Sequence, residues 1–291
     1  MTGRTARRRV TRITLESGGG PGLAPRTGSS QVTDRADLLA AEEPLGIRID
    51  GQAASLTMRT PGDDIDLTAG FLLSEGIAAG PDDIAEIRIC SGEQCGHGEH
   101  DDGMGNIADV TLRPGADWHA PGRNFLTTSA CGVCGKASID DLRTSSQYDL
   151  RADETQVSAA VLAELPDRLR DAQRVFERTG GLHAAGLFTA GGSLLVVRED
   201  VGRHNAVDKV LGWALRSGRL PPSGCVLLVS GRASFELAQK AVMAGIPVLA
   251  AVSAPSSLAA ELAAEAGLTL VGFLRGRSMN IYAGAHRVTT G

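Results

Sequence analysis

Aromatic residues are scarce in this chain. They make up 3% of its 291 residues, so a core of useful size has to be built mainly from Ala, Val, Leu and Ile. Aliphatic cores of this kind are typical of helices packed closely on a sheet. The hydrophobic content of 42% and the charged content of 22% are ordinary for a globular protein. The composition therefore favours an α/β fold, and the length leaves room for two domains.

Long apolar runs are also missing. No stretch approaches the roughly 18 to 20 apolar residues that a membrane-spanning helix needs, and the N-terminal region lacks the apolar segment of a secretory signal. We therefore expect a cytoplasmic protein that does not act at a membrane. The five cysteines are an odd number, and in a reducing compartment we expect most of them to be free thiols.

Negative charge prevails outside the N-terminal region. The formal net charge is −5. Five arginines precede the first acidic residue, Glu16: Arg4, Arg7, Arg8, Arg9 and Arg12. The other 24 basic and 34 acidic residues leave a body near −10, which argues against a broad nucleic-acid-binding surface. Over residues 1–30 the sequence is rich in Arg and Gly, and we predict a disordered tail.

Two structured segments are predicted after the tail. Residues 31–150 predict an α+β domain, because apolar and polar residues alternate around Asp50 and Gly51 as in a β-hairpin and a helix follows Pro61. A polar section over residues 145–156 marks the boundary. Residues 151–291 alternate strand-like and helix-like segments, which predicts helices on the faces of a sheet with parallel strands.

Two thiols stand three positions apart in the sequence Cys-Gly-Val-Cys-Gly-Lys over residues 131–136. A pair such as Cys131 and Cys134 is typical of redox, metal or sulfur-transfer chemistry rather than of a structural disulfide in this compartment. Lys136 and the N-terminus of a helix predicted over residues 137–142 both favour the thiolate. The thiolate is the attacking form, but these local residues leave the kind of chemistry open.

The remaining cysteines carry weaker signals. Cys90, Cys95, His97 and His100 offer four potential metal ligands, but their spacing fits the usual zinc patterns poorly. We interpret them as part of a polar surface loop between two strands and predict no metal site. Cys225 begins an aliphatic strand and is interpreted as a core thiol.

Three loops predict an anion pocket. They cover residues 198–205, 230–234 and 275–278, each after a predicted strand and each with Gly and Arg. Ligands of α/β sheets bind beyond the carboxyl ends of the strands, where loops lead into helix N-termini. Guanidinium groups pair with phosphate oxygens bidentately. If the three loops converge, phosphate or pyrophosphate is the natural ligand.

Two histidines lie near these loops. His183 precedes a predicted strand and is interpreted as a structural, hydrogen-bonded residue. His204 has Asp200 and Arg203 beside it in a loop that is predicted to open on the pocket. We therefore keep His204 as a candidate for the site.

Three stretches resemble one known family. Thr-Thr-Ser-Ala-Cys-Gly-Val-Cys-Gly-Lys over residues 127–136, Arg-Glu-Asp-Val-Gly-Arg-His-Asn-Ala over 198–206 and Thr-Pro-Gly-Asp-Asp over 60–64 resemble the FdhD family, the formate dehydrogenase accessory sulfurtransferases. The resemblance runs from about Val32 to the C-terminus.

The resemblance implies a function. A protein of this kind takes sulfane sulfur from a cysteine desulfurase and holds it as a persulfide. It passes that sulfur to the molybdenum of bis(molybdopterin guanine dinucleotide), as formate dehydrogenase activity requires. The implied partners are the desulfurase, the formate dehydrogenase catalytic subunit and a second copy of the chain in a homodimer.

Residue roles follow from the resemblance by motif. Cys131 is the implied persulfide carrier and Cys134 its partner. The implied cofactor-binding residues are Phe273, Leu274, Arg275, Gly276, Arg277 and Ser278, joined by Gly231, Arg232, Arg203 and His204 from the other two loops.

The implied fold of the C-terminal segment is a cytidine-deaminase-like α/β/α domain with a mixed sheet. Deaminases hold zinc and move protons with His-x-Glu and Pro-Cys-x-x-Cys. Here Ala185 stands two residues after His183, where the Glu would be, and no Pro-Cys-x-x-Cys follows. We therefore expect neither zinc nor deaminase activity.

Two other functions remain open for the thiol pair. Cys131 and Cys134 could form the reversible dithiol of a thiol-disulfide oxidoreductase, although such motifs usually begin the first helix of a compact domain of about 100 residues. Alternatively, a non-enzymatic cofactor carrier could bind zinc between subunits, since two thiolates per chain complete a tetrahedral site only in a dimer.

Overall fold

A computed structural model describes residues 3–15, 30–90, 106–116, 118 and 146–290. Its strands are β1 (Thr5–Leu15), β2 (Ser30–Ala40), β3 (Glu43–Ile49), β4 (Gln52–Arg59), β5 (Ile84–Cys90), β6 (Ile107–Leu112), β7 (Val157–Ser158), β8 (His183–Thr189), β9 (Leu194–Asp200), β10 (Cys225–Val229), β11 (Val248–Ala251), β12 (Thr269–Arg275), β13 (Ser278–Ala283) and β14 (Val288–Thr289). Its helices are α1 (Asp64–Ser74), α2 (Ala159–Ala172), α3 (Arg174–Thr179), α4 (Arg203–Arg216), α5 (Phe235–Met243) and α6 (Ser257–Ala266).

A six-stranded mixed sheet forms the larger core, in the order β13-β12-β11-β10-β8-β9. β10, β11 and β12 are parallel, whereas β8, β9 and β13 each pair antiparallel with their neighbours. Leu162, Leu165 and Leu169 of α2 pack on one face of this sheet, and α4, α5 and α6 cover the other. The predicted α/β/α layering with a mixed sheet is confirmed for this segment.

The smaller core is a four-stranded sheet in the order β4-β3-β6-β5, covered by α1. The predicted hairpin is confirmed: β3 and β4 are joined at Asp50 and Gly51, with φ angles of 47° and 78°. Positive φ at both central residues is what a tight hairpin turn with right-handed strand twist requires. The helix predicted after Pro61 is α1.

Helices α1 and α4 cross at Gly70 and Gly212, and this crossing joins the smaller core to the larger one. A Cβ atom added to Gly70 of α1 would lie 1.8 Å from the backbone oxygen of Asp208, and one added to Gly212 of α4 would lie 1.8 Å from that of Asp66. The backbones of α1 and α4 therefore touch directly. The longest described helices, α2 and α4, have 14 residues, and no helix in the described ranges is long and apolar enough to span a bilayer.

The predicted tail requires a correction. β1 pairs antiparallel with β2 over eleven residue pairs, from Thr5 opposite Ala40 to Leu15 opposite Ser30. The composition argument failed because most of the strand is exposed, so backbone hydrogen bonds rather than apolar burial define it. Residues 16–29 lie outside the described residues.

Candidate functional site

The three predicted loops lie at one edge of the six-stranded sheet. β9, β10 and β12 run in the same direction, so their carboxyl ends share an edge. With roughly 4.8 Å between neighbouring strands, the ends of β9 and β10 are about 10 Å apart, and those of β9 and β12 about 19 Å. One phosphate cannot contact all three loops, but an elongated ligand can lie across them.

The first loop leads into helix α4, which begins at Arg203. The Nε atom of Arg203 is buried and has no hydrogen-bond partner among the described residues. A buried donor without a partner costs free energy, commonly about 1 to 3 kcal/mol. The guanidinium group thus has an unused donor at a helix N-terminus, which is the usual arrangement for binding an anion.

His204 follows in the first turn of α4. Its Nε2 atom lies 3.5 Å from the hydroxyl oxygen of Ser234 and 3.9 Å from a carboxylate oxygen of Glu236. Burial lowers the pKa of His204 to about 4, and the positive charges of Lys240 and Arg203 add to this effect more strongly than Glu236 opposes it. The imidazole is therefore neutral near pH 7.

The pKa of Glu236 is lowered even though burial acts to raise it. Burial is the largest single effect, but the hydrogen bonds with Ser234 and the backbone N–H of Glu236, together with nearby His204 and Arg203, outweigh it. Ser234 is the N-cap residue of α5. An anionic Glu236 in the first turn of this helix also suits the helix dipole.

His183 lies against the second loop. A Cβ atom on Gly231 would come within 3.4 Å of its Nδ1 atom, so glycine gives the loop room beside the ring. Burial lowers the pKa of His183, Arg203 lowers it further, and Asp200 opposes them. Arg232, the predicted anion ligand of this loop, is exposed.

The third predicted loop requires a correction. Residues 275–278 form the tight turn of a β-hairpin between β12 and β13, with Arg275 opposite Ser278 and Gly276 at φ 56°. No helix N-terminus follows, so Arg275 and Arg277 offer exposed guanidinium groups without a helix dipole. The sequence pattern does not separate this turn from the other two loops, because Gly and Arg after a strand are compatible both with a hairpin turn and with a loop before a helix.

Phe273 has a backbone conformation that is unusual for an aromatic residue, with φ 50°. Its N–H donates to the carbonyl of Ser253 at 3.1 Å, and the guanidinium carbon of Arg275 lies 5.5 Å from its ring centre. Leu274 is buried in the core. The predicted stretch from Phe273 to Ser278 thus combines a strained, packed part with an exposed basic turn.

The carboxylate of Asp200 holds the first loop and the segment around Thr60 together. This fully buried carboxylate accepts hydrogen bonds from Lys209 Nζ at 2.7 Å and from the backbone N–H of Thr60 at 3.0 Å. It also accepts from the N–H of Gly202 at 2.8 Å and from the side-chain amide of Asn205 at 3.1 Å. The stretches around residues 60–64 and 198–206 are therefore bound to each other through one side chain.

A second buried ion pair lies beside His204. Lys240 Nζ bonds both carboxylate oxygens of Asp208, at 2.8 and 3.0 Å, and the hydroxyl of Ser74 at 2.8 Å. Burial raises the pKa of Asp208, opposed by Lys240 and Ser74. The pair joins α4 and α5 to α1 and holds the positive charge of Lys240 near His204.

Substitution of Asp200 by Asn is expected to lower the free energy of unfolding by roughly 3 kcal/mol, because it leaves the buried Lys209 without an anionic partner. Urea denaturation at pH 7 measures this effect. Asp171→Asn, at an exposed position on α2, serves as the control and is expected to change stability by less than about 0.5 kcal/mol. Equal stability of the two variants would contradict the assigned role of Asp200.

Acid is expected to destabilise the fold through His204. Its pKa is about 4 in the folded protein and about 6.5 when unfolded, so the unfolded chain binds the additional proton between these values. The contribution of His204 to the free energy of unfolding is complete well above pH 6.5, and it falls by about 2 kcal/mol between pH 7.5 and 5. Urea titrations should show this loss reduced in His204→Gln but retained in His286→Gln, at an exposed position. The same loss in both variants would exclude His204 as its source.

The family model for FdhD/NarQ matches residues 40–289. The chain belongs to the FdhD/NarQ family. Among its relatives, the sulfur carrier protein FdhD of Nocardia farcinica is 56% identical over 289 residues, which cover 99% of this chain and 96% of the relative. The protein of the same name from Streptomyces avermitilis is 60% identical over 264 residues, covering 88% of this chain and 91% of its own length.

A solved structure supports the fold of this FdhD/NarQ family member. A protein from Desulfotalea psychrophila, described as a formate dehydrogenase accessory protein, superposes with a TM-score of 0.69 and covers 97% of this chain and 99% of its own. At 23% identity, this likeness bears on the fold alone.

Several predicted residues of the FdhD/NarQ family member lie outside the described residues. They are the thiol pair Cys131 and Cys134, the helix predicted over residues 137–142, and Cys95, His97 and His100 of the predicted surface loop. Cys225 is a buried free thiol whose pKa is raised, chiefly by burial, so its predicted place in the core is confirmed.

Sequence reasoning missed the partners of the site residues. Glu236 and Lys240 set the charge around His204, and Lys209 anchors Asp200. A signal was present, since Asp208 and Lys209 interrupt the otherwise apolar side of α4 between Val207 and Val210. Charged residues are rarely fully buried unless they are paired.

Proposed function

We propose that this protein is a sulfurtransferase of the cytoplasm that carries sulfane sulfur as a persulfide on Cys131. The proposed donor is a cysteine desulfurase, and the proposed acceptor is the molybdenum of bis(molybdopterin guanine dinucleotide) destined for formate dehydrogenase. Family membership and the name of its relatives, sulfur carrier protein, support the sulfur chemistry. The observation that carries the acceptor class is the unpartnered Nε of Arg203 at the N-terminus of α4.

The loading step needs only a thiolate. The Cys131 thiolate attacks the terminal sulfur of the donor persulfide, the sulfur–sulfur bond of the donor breaks, and the donor cysteine leaves as a thiolate. Cys131 then holds the transferred sulfur as a persulfide. Cys134 is the second thiol of the pair, and Lys136 provides positive charge that favours the thiolate.

The loop edge suits an elongated, phosphate-bearing acceptor. Arg203, at the start of α4, supplies a donor for one phosphate group. Arg232 and the Arg275–Arg277 turn supply exposed guanidinium groups and follow strands whose ends lie about 10 Å and 19 Å along the edge. A dinucleotide cofactor with separated pyrophosphates matches this spacing better than a single phosphate does.

Neutral side chains complete the proposed pocket. His204 is uncharged near pH 7, so it adds a hydrogen-bonding group without an additional charge. Gly231 leaves space beside His183, and Phe273 and Leu274 fix the start of the hairpin turn. We propose that Gly276 and Ser278 also belong to the cofactor-binding residues, as parts of the hairpin turn that approaches the ligand.

The proposal includes further expectations from the family. The formate dehydrogenase catalytic subunit is the expected recipient of the sulfurated cofactor, and the protein is expected to act as its maturation chaperone in the form of a homodimer. We also propose that the C-terminal segment has the cytidine-deaminase-like arrangement, without zinc, since Ala185 is a buried strand residue in the position of the missing Glu.

Incubation with a cysteine desulfurase and cysteine tests the sulfur chemistry. Mass spectrometry should find one additional sulfur on the peptide containing residues 131–136, lost on treatment with a thiol reductant and absent from Cys131→Ala. The Cys134→Ala arm shows whether the second thiol is needed for loading. A protein that gains no sulfur but forms a reversible disulfide and has disulfide reductase activity would instead be a thiol-disulfide oxidoreductase. Stoichiometric zinc in the purified protein would favour the non-enzymatic cofactor carrier.

A further inference from the structure

The ribbon formed by β1 and β2 has two different faces. Residues opposite each other in an antiparallel pair point to the same side, and neighbours along a strand alternate. The unbroken register therefore places Ile13, Leu15 and Val32 together on one face, at the end farthest from the Thr5–Ala40 pair. We call these three residues the apolar end. The opposite face carries Arg8, Arg12 and Arg35, which we call the basic face; Asp37 on the same face lies 3.6 Å from Arg35, and Arg7 and Arg9 lie on the face of the apolar end.

The apolar end is unusually exposed. Ile13, Leu15 and Val32 are exposed to 63%, 76% and 60%. These values exceed those of the large exposed apolar side chains elsewhere in the described residues, such as Ile89 at 40% and Leu194 at 38%. A cluster of exposed apolar residues with polar surroundings is typical of a surface that another protein covers.

Among the described residues, no third strand pairs with the ribbon. An isolated pair of strands is marginally stable in water, and independent stability usually needs another strand or a packed face. Near its base the two strands are joined by the N–H of Ala41, which donates to the carbonyl of Arg4 at 2.9 Å. The ribbon is held to the body there by the Arg4–Asp63 ion pair at 2.5 Å and by contacts of β2 with α3. All residues from Thr11 to Leu15 are exposed, so the far half requires a covering surface.

The charges of the ribbon identify what can cover it. Residues 1–40 contain seven arginines and three acidic residues, a net charge of +4, while residues 41–291 have a net charge of −9. Arg9 pairs with Asp34 at 2.8 Å, but Arg8 and Arg12 form no ion pair with any described residue. The complementary charge is thus present on the remainder of the same chain.

We propose that the ribbon is a dimerisation arm, which lies on the acidic body of a second copy with its apolar end buried there and its basic face beside carboxylates. The arm deepens the homodimer proposed above by assigning its interface. It lies before residue 40, where the family match begins. An apolar end suits a protein surface better than the phosphates and grooves of a nucleic acid.

Sedimentation equilibrium of the full-length protein tests the arm. The wild type should be a dimer at micromolar concentrations, with a dissociation constant that rises with salt because exposed charges are screened. The double variant Ile13→Glu with Val32→Glu should raise the dissociation constant by on the order of a hundredfold, since it places carboxylates in an apolar contact. Arg8→Glu with Arg12→Glu should weaken the dimer and abolish most of its salt dependence.

Matched controls separate the ribbon from general effects of added charge. Ile89→Glu with Leu194→Glu replaces two exposed apolar residues of the body, and Arg113→Glu with Arg219→Glu reverses two exposed arginines that lie outside the ribbon and outside α3, the helix that contacts β2. Both controls should remain dimeric, with urea transitions like those of the ribbon variants. A monomeric wild type, a dimer unaffected by the ribbon variants, or nucleic acid bound by the arm in place of a second copy each overturns the proposal. Sulfur loading of Cys131, measured separately by mass, distinguishes failure of the arm from failure of the proposed sulfur transfer.

Discussion

Cells that carry only the Cys131→Ala variant are expected to lose formate dehydrogenase activity almost completely, while their content of the molybdenum cofactor stays normal. The alanine removes the only atom that holds the sulfur in the proposed transfer, so no alternative route within the chain replaces it. The measurement is formate oxidation in cell extracts, with the cofactor quantified in the same extracts. Loss of activity at normal cofactor content places the defect at sulfuration.

Cys225→Ala is the matched control for this experiment. It also removes one thiol, but that thiol is buried on β10 and its pKa is raised, so it takes no part in the proposed transfer. Cells carrying it should keep formate dehydrogenase activity close to wild type. Full activity of the Cys131→Ala cells, or an equal loss in both variants, would show that Cys131 does not carry the sulfur.

Replacement of Gly212 by Ala is expected to destabilise the protein by about 3 kcal/mol or more, or to prevent folding. The new methyl group would lie 1.8 Å from the backbone oxygen of Asp66 and 2.7 Å from the nitrogen of Gly70. Backbone atoms cannot rotate away as a flexible side chain can, so α1 and α4 must separate. Urea denaturation of the purified variant measures the change, and the yield of folded protein reports a more severe effect.

Gly80→Ala provides the comparison. No heavy atom lies within 4 Å of a Cβ atom at Gly80, and its φ of −154° is open to any residue. We expect a change of less than about 0.5 kcal/mol in the free energy of unfolding. Should Gly212→Ala prove as stable as Gly80→Ala, the close crossing of α1 and α4 would be wrong.

Local patterns were sufficient to predict most elements of the described chain. The aliphatic strands β10, β11 and β12 alternate with α5 and α6, and this order alone predicts a layered sheet. The turn at Asp50 and Gly51 was predictable because few other residues adopt positive φ at both positions. The order of strands predicted that three loops would lie at one edge. Arg203 and His204 are found there at the start of α4, whereas the third loop is the turn of the β12–β13 hairpin.

Other features depend on residues that are far apart in the sequence. Asp200 contacts Thr60 across 140 positions, and no periodicity within either stretch reveals that contact. The neutrality of His204 depends on burial and on Lys240, which lies on another helix. β1 was missed for a different reason: its sequence is rich in Arg and Thr and has no apolar face along most of its length, so composition suggested a tail where the backbone pairs with β2.

The carboxylate of Asp200 also has a consequence for synthesis of the chain. Thr60 emerges from the ribosome long before Lys209, and until then its N–H and carbonyl lack the partners they have in the native state. For the same reason, Gly70 of α1 lacks the backbone of α4 that packs against it in the native state. The first half of the chain therefore cannot complete these contacts before the second half is made.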